Sequence, residues 1–311
     1  MRAASAWRSR IDWQVPAVRM LRPALVAVLF PLLTVSAVDA ADVTGPDALR
    51  ARYASRRDQL ADNGFKRPLY LESRQSPGAV QGDIDALVDY PFAQFEQAVR
   101  GPAQWCDILI LHLNVKSCDA SSNTREGALV AYIGRKRGTS VEGAHRVDFK
   151  FAIVERTPEY LHIELTAASG PFGTRNYRIE LKAAGVDSAR TFVNLSYSYA
   201  YGAVAAMALR TYMTTLGAEK VGFTVVDRRP DGTPVHVGDV RGALERNAMR
   251  YFLAVDACVS TASLASEQRF TQRLEHWFDS TERYALQLHE VERSEYLDMK
   301  LNGSRKQPAS Q

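Results

Sequence analysis

Apolar and polar residues alternate with a period of two through the middle of the chain and recur near every 3.6 residues in its last third. Ile84, Ala86 and Val88 share one face opposite Asp83, Asp85 and Leu87. That segment reads as a half-buried strand, with Leu87 as its one apolar exception. After Cys118 the period of two persists. It runs through Ala128–Arg135, then Val147, Phe149, Phe151 and Ile153, then Leu161, Ile163 and Leu165. Tyr177, Ile179 and Leu181 follow, then Val193, Leu195, Tyr197, Tyr199 and Tyr201. Short turns such as Glu155–Glu159, Ser169–Thr174 and Gly185–Ser188 join these runs. One-sided alternation with short links predicts an antiparallel meander with a single apolar face.

The helical segments lie around this block. Pro46–Gly64 reads as a charged helix carrying Leu49, Tyr53 and Leu60 on one side, and residues 67–78 read as a connector. Phe92, Phe95, Ala98 and Val99 mark a short helix, and a second runs through Trp105. Asp239 is expected to cap a long helix with Val240, Leu244, Ala248, Tyr251 and Val255 on one stripe. Ser266 is expected to cap another, bearing Phe270, Leu274, Trp277 and Tyr284. The stretch between sheet and helices, Gly217–Gly238, holds the strand-like Val221–Val226 and a Pro/Gly turn.

A sheet with one apolar face must be covered, and the Asp239 helix carries the longest apolar stripe. The prediction is therefore an α+β fold in which a curved antiparallel sheet grips one long C-terminal helix around a cavity. Element order, the opening Gly82-Asp-Ile-Asp-Ala-Leu-Val-Asp-Tyr-Pro-Phe-Ala-Gln-Phe-Glu96 and the terminal helix resemble the START-like helix-grip (SRPBCC) superfamily over Arg67–Ser260. The chain is also similar to a group of uncharacterised exported proteobacterial proteins. That likeness rests on Trp105-Cys-Asp-Ile-Leu109, Leu113-Asn-Val-Lys-Ser-Cys118, Lys220-Val-Gly-Phe-Thr224 and Glu245-Arg-Asn-Ala-Met-Arg-Tyr251. The superfamily resemblance implies a START-like domain, here over residues 41–300, with an N-terminal helix and a C-terminal helical extension. It carries no catalytic motif. The additional N-terminal helix, the Gly217–Gly238 insertion and the helices past Ser260 depart from the superfamily pattern.

The N-terminus changes the compartment. Arg19 and Arg22 flank the apolar run Ala24–Val35, followed by Val38 and Ala40 at the −3 and −1 positions of a signal-peptide cut. The run is about a dozen residues, short of the ~20 that span a bilayer. Residues 1–40 are expected to be a Sec-type signal, with Met20 an alternative start and an uncleaved anchor the competing reading. A periplasmic or secreted protein has no pool of ATP or NAD, so enzymes needing them are excluded. The formal charge is +4, yet residues 1–40 hold five Arg and two Asp, so the remainder is near +1. That excludes a nucleic-acid binder. Arg135–Arg137 and Arg228–Arg229 read as solvated turns, with transient contact to an anionic membrane surface as the alternative.

Cys106 and Cys118 can bridge in an oxidising compartment, which would stabilise the fold by roughly 3 kcal/mol in the chain-entropy model. Cys258 reads as a buried core residue. Six histidines lack metal-ligand spacing, no Gly-x-Ser-x-Gly occurs, and no cofactor is implied. Asp83 and Asp85 are expected to face water, Arg146, Asp148 and Glu164 to lie on the surface, and Arg246, Asn247 and Arg250 to form a solvated helix face. The residues expected to line a ligand cavity are Phe149, Phe151, Ile163, Tyr177, Tyr197, Tyr199, Tyr201, Tyr251 and Val255. Ordinary core packing is the competing reading of each. The expected function is binding of an apolar or amphipathic small molecule, with lipids as the leading class. The alternatives are a cyclase- or hydrolase-like enzyme in the same cavity, or an envelope protein-interaction module built on the helices around Trp277. The tail after Lys300 is expected to be disordered.

Overall fold

The alternating segments pair into one eight-stranded antiparallel sheet. The computed structural model describes residues 45–121, 126–136, 140–203, 206–207 and 220–305. The expected signal segment, residues 1–40, lies outside them. The main strands are β1 (Leu69–Ser76), β2 (Ala79–Val88), β3 (Val115–Ala120), β4 (Glu126–Ile133), β5 (His145–Arg156), β6 (Tyr160–Ser169), β7 (Thr174–Gly185) and β8 (Thr191–Tyr201). They run in the order β1-β2-β8-β7-β6-β5-β4-β3. The expected meander is β4 to β8. Two strands were not expected. β1 lies in the predicted connector and forms a hairpin with β2 through Gly78, whose φ of 80° suits glycine. β3 precedes the predicted first strand of the meander.

Between β2 and β3 come α2 (Phe92–Val99) and α3 (Pro102–Leu109), each burying its apolar side. Cys106 on α3 is bonded to Cys118 on β3, with Cα atoms 5.3 Å apart. The long helix α4 (Asp239–Ser260) lies across the apolar face of the sheet. It crosses β2 at Gly82, where a Cβ would stand 3.4 Å from Leu244 Cδ2 and 3.6 Å from Ala248 Cβ. The predicted stripe from Val240 to Val255 is buried, and so are the other sides of the helix, including Met249 and Phe252. The reason is that α2, α3 and α5 (Ser266–Glu282) pack where the sheet does not. Cys258 is fully enclosed there, and burial pushes its thiol pKa up to about 12.

Neither expected cap forms. Asp239 is the first helical residue, with φ 51°, after Gly238, and no side chain caps that end. Tertiary crowding sets this helix start. The Gly222 N–H donates to Val237 O at 2.6 Å, and a Cβ on Gly222 would meet Gly242 Cα at 2.9 Å. Ser266 likewise opens α5 after Ala265, without a side-chain cap. The Gly217–Gly238 stretch carries a separate ribbon of β9 (Val225–Arg228) and β10 (Pro234–His236), with Val225 and Val226 exposed.

Leu87 is explained by α1 (Pro46–Ala61), which covers the outer face of the sheet. Leu49 and Leu60 pack there against Tyr160, Ala184 and Phe192, with Leu87 alongside. The same helix overturns the expectation for Asp85. Its carboxylate is fully buried, accepting from Arg52 Nε at 2.7 Å and Asn194 Nδ2 at 2.8 Å, with Arg56 Nε 3.4 Å away. Asp83 is also buried, paired with Arg74 at 3.1 Å. Arginines from a distant segment supply the counter-charge that burial requires.

After α5 come α6 (Ala285–Leu288) and α7 (Arg293–Arg305), so helix continues five residues beyond Lys300, into the expected tail. Lys300 anchors it from a buried position, donating to His112 O at 2.7 Å and Val115 O at 2.8 Å. No helix among the described residues is long and apolar enough to cross a membrane.

Candidate functional site

The sheet face beneath α4 becomes aromatic toward one end. Along β8 the inward residues are Val193, Leu195, Tyr197, Tyr199 and Tyr201, and their relative exposure rises from 0% at the first two to 4%, 7% and 7%. All five belong to the buried core, with the tyrosines slightly nearer its margin. Tyr251, on α4, has 7% exposure and meets Tyr197 edge-on at 5.1 Å. A β-bulge brings in Tyr177: both Asn176 and Tyr177 face Tyr199, between the pairs Arg175–Ala200 and Arg178–Ser198. The extra residue, Asn176, has φ 53°, and the Tyr177 ring stacks on Tyr199 at 5.4 Å.

The hydroxyls differ in their partners. Tyr201 accepts from Gln75 Nε2 at 3.0 Å, and Tyr177 lies 2.6 Å from Thr174 Oγ1. Among the described residues the hydroxyls of Tyr197, Tyr199 and Tyr251 have no hydrogen-bond partner. Burial raises the pKa of all three phenols, so they are neutral donors. Phenol hydroxyls on clustered rings are groups of the kind that orient a ligand burying apolar surface against aromatic walls.

The other expected lining residues separate into two groups. Phe149, Phe151, Ile163 and Val255 are buried to 3% exposure or less and pack as core. Tyr197, Tyr199, Tyr201 and Tyr251 belong to the same core cluster, at 4–7% exposure, and Tyr177 packs against it partly buried. Two open depressions among the described residues reach neither Tyr197 nor Tyr251. One, of ≈ 700 Å³, opens where the β1–β2 hairpin meets the bulge, with polar walls including Gln81, Asn176 and Ser198, and it reaches Tyr199 and Val80. The other, of ≈ 240 Å³, lies beside α1 over Ala184 and Phe192.

Sequence reasoning missed the polar groups behind Tyr251. His112, in the turn after α3, stacks on that ring at 5.3 Å. Its Nδ1 accepts from Asn114 N–H at 3.1 Å, so Nε2 carries the proton and donates to Asn247 Oδ1 at 3.3 Å. Burial lowers its pKa to about 3, aided by Arg250, Lys300 and Lys136, and the ring is neutral. Arg246 and Arg250 are buried, contrary to the expected solvated face. Arg246 donates to Val221 O at 3.2 Å, and Arg250 reaches Glu290 Oε1 at 2.9 Å. The expected partner surface around Trp277 is likewise interior. That ring is 1% exposed, stacks on Tyr296 at 5.1 Å and donates to Arg250 O at 3.0 Å.

The Lys220–Thr224 and Trp105–Leu109 segments both pack on α4, which itself carries Glu245–Tyr251. Val221–Thr224 is latched by Glu245, whose fully buried carboxylate accepts from Phe223 N at 2.6 Å, Thr224 N at 2.9 Å, Thr224 Oγ1 at 2.6 Å and Ser73 Oγ. Gly222 is required there, because a Cβ would come within 2.6 Å of Glu245 Oε2. Asp107, on α3, pairs with Arg273 at 2.7 Å. These contacts fix the helix that carries Tyr251.

No family model matches the chain, and none of the curated proteins matches it. Among solved structures it is similar to the Zhui aromatase/cyclase from Streptomyces sp. R1128, at 13% identity and TM-score 0.35, covering 65% of this chain and 95% of that one. It is also similar to a conserved protein from Geobacillus kaustophilus, at 9% identity and TM-score 0.34, covering 58% and 96%. Norcoclaurine synthase from Thalictrum flavum gives 10% identity and TM-score 0.32, covering 48% and 88%. The eight-stranded antiparallel sheet and the long helix across its apolar face form a helix-grip fold.

Proposed function

We propose that this protein binds an apolar or amphipathic small molecule, with lipids as the leading class, at the tyrosine end of the space between the sheet and α4. One observation carries the reading: the rings of Tyr197, Tyr199 and Tyr251 meet in one aromatic patch between β8 and α4, and among the described residues their hydroxyls have no hydrogen-bond partner. Unmet donors on an aromatic wall favour a ligand that supplies an acceptor at one end and apolar surface at the other. Each Å² of apolar ligand surface buried would contribute roughly 25 cal/mol. The reading includes export to the periplasm or beyond, supported by the N-terminal pattern and the Cys106–Cys118 bridge.

An enzyme in the same space has one observation in its favour, His112 against Tyr251. With a pKa near 3 and both ring nitrogens engaged, that imidazole is a poor general base at neutral pH. It holds the Tyr251 ring in place. Native mass spectrometry of the chain purified from its own source organism tests the binding reading. The expected result is a single small-molecule mass excess that disappears on denaturation; bare polypeptide alone would count against it.

A further inference from the structure

Near His112, five basic side chains gather from separate segments. They are Lys116 on β3, Lys136 just past β4, Lys220, Arg250 on α4 and Lys300 on α7. One carboxylate, Glu290, serves three of them. Arg250 Nη2 lies 2.9 Å from its Oε1, Lys220 Nζ lies 3.2 Å from its Oε2, and Lys136 Nζ contacts that same Oε2. Arg250 and Lys300 are buried at 3% and 5% exposure, and Lys300 is held by backbone carbonyls. Cations withdrawn from water with so little counter-charge raise the local potential. Lys136 registers it: burial lowers its pKa, Glu290 opposes this, and Arg250 and Lys220 lower it further.

Two of the five are reachable from solvent. The side chains of Lys136 and Lys220 are 26% and 31% exposed. Each ammonium has three N–H donors. Glu290 takes one from Lys136, while Glu290 and His289 O at 3.0 Å take two from Lys220. Because both ammoniums touch the same carboxylate oxygen, they stand side by side, and their remaining donors are close enough for one multivalent acceptor to bridge.

We propose that Lys136 and Lys220 form a binding site for a tetrahedral oxyanion, inorganic phosphate or the phosphate of a larger molecule. In this site Glu290 holds the two ammoniums together, and Arg250 supplies attraction from behind. Charge-assisted bonds from two lysines to phosphate are strong and would relieve the crowding of like charge. This site is independent of the tyrosine space, and failure of ligand uptake there leaves it untouched.

The test is calorimetric titration of the full chain with inorganic phosphate at constant ionic strength, with chloride as the reference salt. The expected result is saturable one-to-one binding, weakened at least about tenfold by Lys220→Gln, a loss of ~1.4 kcal/mol. Lys150→Gln, at an exposed position on β5, should leave binding unchanged. If those variants fail to fold, acylation of the wild-type lysines read by mass spectrometry decides: phosphate should protect Lys136 and Lys220 and not Lys150. A titration with glycerol phosphate separates the sources, since tighter binding than inorganic phosphate points to an organic phosphate ligand. Heat indistinguishable from the chloride reference, or equal binding by wild type and Lys220→Gln, overturns the proposal.

Discussion

Replacing Glu245 by alanine is expected to destabilise the fold by about 3–5 kcal/mol, the cost of breaking a buried charged network by removing one member. The carboxylate is fully enclosed and serves two backbone N–H groups, at Phe223 and Thr224, and two hydroxyls, of Thr224 and Ser73. Alanine leaves those donors facing a void, and each buried unsatisfied group costs about 1–3 kcal/mol. Gly222 and Gly242 sit too close for water to move in freely, since a Cβ on Gly222 would already be 2.9 Å from Gly242 Cα. The loss should be local as well as global. The β9–β10 ribbon hangs from this latch, so residues 221–237 should become sensitive to limited proteolysis before the sheet does. Urea denaturation measures the first effect, and a change below about 1 kcal/mol would show that the latch is not what fixes α4.

Acidification is expected to weaken the protein well before its carboxylates titrate, and His112 is the cause. In the fold its pKa is lowered to about 3, by burial first and then by Arg250, Lys300 and Lys136. The unfolded chain restores the ordinary value of about 6.5, so between those values the unfolded state binds more protons. Stability therefore falls as pH drops below about 6.5, by ~1.4 kcal/mol per pH unit, and roughly 3 kcal/mol is gone by pH 4.5. Two other groups act lower. Burial alone would raise the pKa of Glu290 and Glu180, but Arg250 with Lys136, and His162 with Lys182, hold both down to about 2. Their contribution is present above the ordinary carboxylate range and is lost between about pH 4.5 and 2. Urea midpoints at pH 7 and 4.5 should thus differ strongly in wild type and much less in His112→Gln. Equal slopes in the two proteins would remove His112 as the source.

The strands β4 to β8 and the helix α4 were legible because each turns a regular apolar repeat toward the core, and the repeat survives in the sequence even where, as on α4 and β8, the other side is buried too. β1 was not. Only Leu69 and Leu71 are buried apolar residues on it, and breakers flank both ends at Pro68 and Pro77-Gly78. The helix starts at Asp239 and Ser266 were misplaced for a different reason. A local capping signal cannot compete with a tertiary crossing such as Gly222 against Gly242.

Buried charge was the least legible feature. Asp85 sits in an alternating strand whose polar side would ordinarily face solvent, and its partner Arg52 lies 33 positions earlier. Arg250 depends in the same way on Glu290, 40 positions later. No periodicity encodes such pairings. Leu87 was the available clue, since an apolar residue on a polar face asks for a second cover, and α1 provides it. The tyrosine face was readable as a face, while the bulge that turns Tyr177 onto Tyr199 leaves no mark in the pattern.

The most direct trial of the ligand-binding account is a fluorescence titration of ligand-stripped protein with the neutral dye Nile red. The account predicts blue-shifted, saturable uptake of one equivalent, weakened at least about tenfold by Tyr199→Trp, whose larger ring fills the space its hydroxyl now borders. Absence of saturable uptake, or uptake equal in wild type and in Tyr199→Trp, would contradict it.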